Sequence, residues 1–116
     1  MVSIEKVRAL ALSFPETDEH PHFNRRAFRV RKKIFATLSE KDKTLNLLLT
    51  PSDQSVFCAF DNTIMFPVPG GWGRNGATTV NLKKVKLSML KDALTTAYCT
   101  RAPLKLAAKF LPPEDL

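Results

Sequence analysis

Apolar positions change period several times along the chain, and each change marks an element. Ile4, Val7, Leu10 or Ala11, and Phe14 recur at helical spacing behind Ser3. Ser3 is a good cap, and Glu5 is favourable in a first turn. Pro15 ends this helix, because the residue before proline is pushed out of the helical region. Residues 16–22 read as an acidic, proline-containing loop. The period then falls to two. In residues 27–31, Phe28 and Val30 alternate with Arg29 and Arg31, which predicts a strand with one core face and one arginine face. Lys32 and Lys33 connect it to a strand over 34–38. There Ile34, Ala36 and Leu38 are expected inward, with Phe35 and Thr37 outward. A polar turn over 39–44 leads to a third strand, 45–49.

Thr50 and Pro51 have the chemistry of an N-cap and a first helical residue, and Val56, Phe57 and Phe60 give the helix that follows its apolar stripe. Strands are expected over 63–66 and 77–82. Between them, Gly70, Gly71, Gly73 and Gly76, the chain's four glycines, form a second hairpin-like projection. Leu87, Leu90, Leu94 and Ala97 or Tyr98 restore the 3.6 period. Pro103 separates that helix from a last one through Leu104, Leu106, Ala107 and Phe110. Short strands with short connections pair antiparallel. The order α-βββ-α-ββ-αα therefore predicts one two-layer α+β domain over 1–116, with about five antiparallel strands and helices on one face.

Charge sharpens this picture. The net charge is +7, and it is uneven. Residues 24–43 carry eight Lys and Arg against two acids, residues 72–91 carry five against none, and the remainder is mildly acidic. Two cationic blocks form one patch if the fold brings them together. In the first block, Arg25, Arg26, Arg29, Arg31, Lys32 and Lys33 interleave with apolar residues at strand period, and arginine there can reach phosphate oxygens bidentately. The plainer reading of that pattern is a solvated sheet face whose charge discourages edge aggregation. In the second block, Trp72 and Arg74 sit among glycines, with Lys83 and Lys84 following. This loop is neither a Walker loop nor a dinucleotide fingerprint. Trp72 is either a contact element or a side chain folded back on the core.

Other chemistry is sparse. His20 and His22 lie beside Asp18 and Glu19, but two histidines at i and i+2 make a poor metal site, and none is expected. Cys58 and Cys99 fall in apolar helices and read as small core residues. No paired carboxylates, GxSxG or HExxH motif occurs, so neither catalysis nor a cofactor is expected. No apolar run approaches a membrane span and no signal-peptide pattern opens the chain, so a cytoplasmic location is expected. No heptad repeat argues for a dimer, and a monomer is expected.

Four stretches resemble the MmcQ/YjbR-like family of small bacterial domains. They are Arg8-Ala9-Leu10-Ala11-Leu12-Ser13-Phe14-Pro15, Ala27-Phe28-Arg29-Val30-Arg31-Lys32-Lys33-Ile34-Phe35-Ala36-Thr37-Leu38, Trp72-Gly73-Arg74-Asn75-Gly76, and Ala102-Pro103-Leu104-Lys105-Leu106-Ala107-Ala108. Ala77 and Thr78 stand where the family often has a second aromatic after the loop glycine. The resemblance implies a compact α+β domain with a five-stranded sheet, and DNA binding through two β-hairpin wings. By position, the first wing spans 25–33 and the second 72–84, inside the two cationic blocks. The expected function is therefore non-catalytic binding of duplex DNA. The contacts would be Arg25, Arg26, Arg29, Arg31, Lys32, Lys33, Trp72, Arg74, Lys83 and Lys84. The alternative is a module that binds an acidic protein or an anionic ligand with the same face. The fold has also been likened to the frataxin group, whose iron binding uses an acidic ridge that these scattered acids do not form.

Overall fold

The computed structural model describes residues 1–111. Its elements are α1 (Ile4–Leu12), β1 (Thr17–His22), β2 (Arg25–Val30), β3 (Lys33–Ser39), β4 (Thr44–Leu48), α2 (Pro51–Phe60), β5 (Met65–Pro67), α3 (Gly71–Arg74), β6 (Ala77–Asn81), α4 (Leu87–Arg101) and α5 (Leu104–Ala107). Local chemistry sets several boundaries. The Ser3 side chain accepts from the Lys6 N–H, and the Thr50 side chain accepts from the Asp53 N–H with Pro51 opening the helix.

The strands form one antiparallel sheet in the order β1-β2-β3-β4-β6-β5. The α+β expectation stands, with six strands where about five were expected. The additional strand is β1, over the residues expected to be a loop. Its sequence Thr-Asp-Glu-His-Pro-His has no apolar alternation, so no periodic signal marks it. Proline and charge are nevertheless what an edge strand tolerates.

The helices cover one face of the sheet. Phe28, Val30, Ala36, Leu38, Leu45, Leu47, Met65 and Val80 pack there with Val7, Ala11, Leu90, Leu94, Ala97 and Tyr98. One row of residues on the opposite face is Ala27, Thr37, Asn46, Thr79 and Phe66, aligned across five strands by the pairing register. Phe35 was expected outward and is instead fully buried. The register slips between Phe28 and Arg29, so Arg29 pairs with Ile34 while Phe28 pairs with Ala36. The extra residue is a bulge, which turns Phe35 into the core and leaves Ile34 on the outer face. Phe35 meets Tyr98 edge to face, and Phe14 stacks on Tyr98 with centroids 4.6 Å apart.

Candidate nucleic-acid interface

The ten expected contact residues all lie on or beside the sheet, but they do not form one cluster. Val30 pairs with Lys33, Leu48 with Ala77, and Pro67 with Thr78. The β2–β3 turn and the β5–α3–β6 connection therefore leave the same end of the sheet. That end carries Arg31, Lys32, Lys33, Trp72 and Arg74. The two connections are three strand spacings apart, about 14 Å. His22 pairs with Arg25, and Thr44 with Asn81, so Arg25, Arg26, Lys83 and Lys84 belong to the opposite end. Arg29 lies between, on the helix-free face. Each wing, as drawn from the sequence, is thus divided between the two ends.

β1 changes the charge of the first wing. Asp18 pairs directly across from Arg29, and the two form a bidentate bridge of 2.8 and 3.0 Å. Arg31 makes a bidentate bridge to Glu16, 2.7 and 3.1 Å. Glu19 holds both Arg8 and Arg26, and its side chain is 9% exposed. The Arg31 and Arg29 hydrogen bonds hold the Glu16 and Asp18 carboxyls below their ordinary values. Burial works against ionisation of Glu19, but the hydrogen bonds from Arg8 and Arg26 prevail and its value is lowered too. Arg25 donates to the Thr37 hydroxyl and carbonyl, 3.0 and 2.8 Å, and half-burial lowers its value. Among the described residues, Lys32, Lys33, Arg74, Lys83 and Lys84 have no acidic partner within 4.0 Å.

Lys32 is presented by a conformation that its own backbone does not favour. Arg31 and Lys32 have φ of 47° and 69°. A two-residue hairpin turn with both φ positive ordinarily takes Asn-Gly. Trp72 is 74% exposed. The backbone beneath it is fixed by Gln54 of α2, a buried residue that sequence patterning did not single out. Its side-chain amide donates to the carbonyls of Gly73 (2.9 Å) and Ala77 (3.0 Å).

His20 and His22 alternate along the edge strand β1. Among the described residues, no three His, Cys, Asp or Glu side chains group to hold a metal. A cleft of about 540 Å³ between α2 and α4 is lined by Asp53, Asp92, Thr95, Thr96, Cys99 and Thr100. The three threonine hydroxyls donate to carbonyls four residues earlier in α4. Burial pushes the Cys58 and Cys99 thiols up, away from nucleophilic thiolate. No helix among the described residues is long and apolar enough to cross a membrane.

Together these features define a two-layer α+β domain whose exposed chemistry is cationic and aromatic. The YjbR family model matches residues 12–100, and the chain belongs to that family. It is also similar to the crystal structure of Deinococcus radiodurans protein DR2400, described as a DUF419 domain. The TM-score is 0.73 at 18% identity, covering 86% of this chain and 78% of that one, a likeness of fold. No curated protein matches the chain.

Proposed function

We propose that this protein binds duplex DNA without catalysing a reaction. The sheet end that carries Lys32, Lys33, Trp72 and Arg74 makes the contact. The observation that supports this most directly is that two connections about 14 Å apart leave one end of the sheet with exposed cations on both. That spacing approximates the roughly 12 Å width of the major groove of B-form DNA. Among the described residues, the cations at this end that have no acidic partner are Lys32, Lys33 and Arg74. They point to about three phosphate contacts, and log affinity should fall with log salt at a slope near −3. Arg25, Arg26 and Arg29 act chiefly within the sheet, and Lys83 and Lys84 stand apart from the contact.

The test is a titration of a short labelled duplex at several salt concentrations, with two charge-reversal pairs. Lys32→Glu with Lys33→Glu should weaken binding by at least about sixtyfold at roughly 0.1 M salt, from about eightfold per phosphate lost. Lys83→Glu with Lys84→Glu should leave affinity within about twofold, because a straight duplex docked at one end does not reach the other. A flat salt response, or no binding at low salt, would remove the reading. One observation favours a protein partner instead. Val56 and Phe60, one helical turn apart on α2, are 69% and 71% exposed. If heparin competes as well as duplex DNA and a protein co-purifies, that second reading gains.

A further inference from the structure

Trp72 is the only tryptophan in the chain. Water is an unfavourable place for an indole, whose burial is among the larger gains available to a side chain. Yet the loop holds it there on a fixed backbone. Gly73 and Gly76, which follow it in the loop, are buried. A Cβ at Gly73 would strike the Val68 carbonyl, and one at Gly76 would strike the Leu49 carbonyl. Gly76 also has φ of 112°, open to glycine and strained for other residues. The N–H groups of Arg74, Asn75 and Gly76 close the turn onto the Gly70, Gly71 and Gly73 carbonyls. Gln54 then ties that turn to α2 through two carbonyls. A buried amide and two space-limited glycines thus keep a large aromatic ring outside the core.

A ring held in this way avoids the ordering cost that a mobile loop incurs on binding. Its surroundings narrow the ligand. Stacking on aromatic rings tolerates any base, but a run of single strand needs successive aromatics. Phe35 is in the core, and the exposed Phe23 lies in the β1–β2 turn at the opposite end. Among the described residues Trp72 is the one exposed ring at this end, Phe66 of β5 being only part-exposed on the sheet face. It therefore serves one base, and Lys32, Lys33 and Arg74, without acidic partners among the described residues, serve phosphates around it. Inside an intact duplex both faces of each base are covered, and exposing a base costs least where it is already unpaired.

We propose that Trp72 is a pre-positioned stacking group for a single nucleobase, that Gln54 is its positioning residue, and that the ligand is duplex DNA interrupted by an unpaired base. This rests on the DNA-binding reading above. The experiment compares an intact duplex with the same duplex carrying one bulged base. Anisotropy of the labelled DNA gives affinity, and Trp72 emission reports the ring itself. The interrupted duplex should bind about tenfold more tightly, from the typical strength of base–aromatic stacking, and it alone should quench the emission. Trp72→Ala should remove the preference while leaving the salt slope unchanged, and Trp72→Phe should retain part of it. Gln54→Met, similar in size but without donors, should loosen the Trp72 emission anisotropy and reduce the preference. The two Trp72 variants decide the matter if Gln54→Met does not fold. Equal affinity for the two duplexes, with the salt slope intact, overturns the stacking proposal and leaves DNA binding standing. Absence of binding to either duplex at low salt overturns both.

Discussion

Neutralising Glu16 should strengthen DNA binding. Arg31 stands in the β2–β3 turn beside Lys32, yet the Nε–Nη2 edge of its guanidinium is engaged by both oxygens of Glu16. The turn therefore presents two usable charges, Lys32 and Lys33, and the neighbouring connection adds Arg74. Three contacts give a slope of log affinity against log salt of about −2.7. Glu16→Gln removes the charge that occupies Arg31 and makes a fourth contact available, moving the slope to about −3.6. At roughly 0.1 M salt, one added phosphate contact corresponds to about eightfold in affinity. The reciprocal variant behaves differently. Arg31→Ala removes a cation already satisfied within the protein, so its affinity should stay within about twofold, whereas Lys32→Ala should cost about eightfold. Glu16 and Arg31 are both solvent-exposed, each with close to half of its side chain accessible, so neither change should disturb the fold. Anisotropy titrations of the three variants across a salt series read both quantities. Unchanged affinity and slope in Glu16→Gln would refute the reasoning. So would a loss in Arg31→Ala as large as in Lys32→Ala, because Arg31 would then exchange Glu16 for phosphate freely.

Two further outcomes follow from the same residues. Glu16, Asp18 and Glu19 all have folded-state values below their unfolded ones. Their contribution to stability is complete above the ordinary carboxylate range near pH 4, and it is lost as pH falls through the lower folded values; urea midpoints that stay level from about pH 5 to pH 2 would contradict this. Lys32→Gly relieves a positive φ of 69°, so it should raise stability by about 1 kcal/mol while weakening DNA binding. Chemical denaturation beside a DNA titration checks both, and a variant that is less stable would show that the Lys32 backbone is not strained.

The helices and the inner faces of the strands were legible because burial imposes a period. Phe28 and Val30, or Leu45 and Leu47, repeat every second residue on one buried face, and Leu90, Leu94 and Ala97 repeat every third or fourth. The features that escaped are those that burial does not make periodic. β1 carries no apolar alternation, because its edge position is satisfied by ladder hydrogen bonds to β2 and by ion pairs. The bulge at Phe35 interrupts the period by one residue, and one residue reverses the face of every side chain before it. Gln54 is a polar side chain in a helix by sequence, and only the arrival of the Gly73 and Ala77 carbonyls beside it gives the amide a purpose.

Charge was the most misleading signal, for a physical reason. Counting by sequence blocks treats the acids of residues 16–19 and the arginines of residues 26–31 as belonging to different regions. Antiparallel pairing makes them nearest neighbours, with Asp18 facing Arg29 and Glu19 diagonal to Arg26. Opposite charges at such positions attract, which is the ordinary way a polar edge strand gains something from its partner. The arginines of residues 25–31 are therefore the ones most occupied, and Lys32 and Lys33 keep their charge free of acidic partners among the described residues. A lysine at φ of 69° where glycine would be easier, and a tryptophan held in water above two buried glycines, are two positions where folding alone does not account for the residue. Strain and exposure that the rest of the fold must sustain direct attention to a surface. Lys32 and Trp72 supply them at one end of this sheet, while Phe23, with φ of 58° and 95% exposure, and Lys43, with φ of 56°, supply them at the other. What distinguishes the first end is the indole that shares it with Lys32, Lys33 and Arg74, cations without an acidic partner among the described residues.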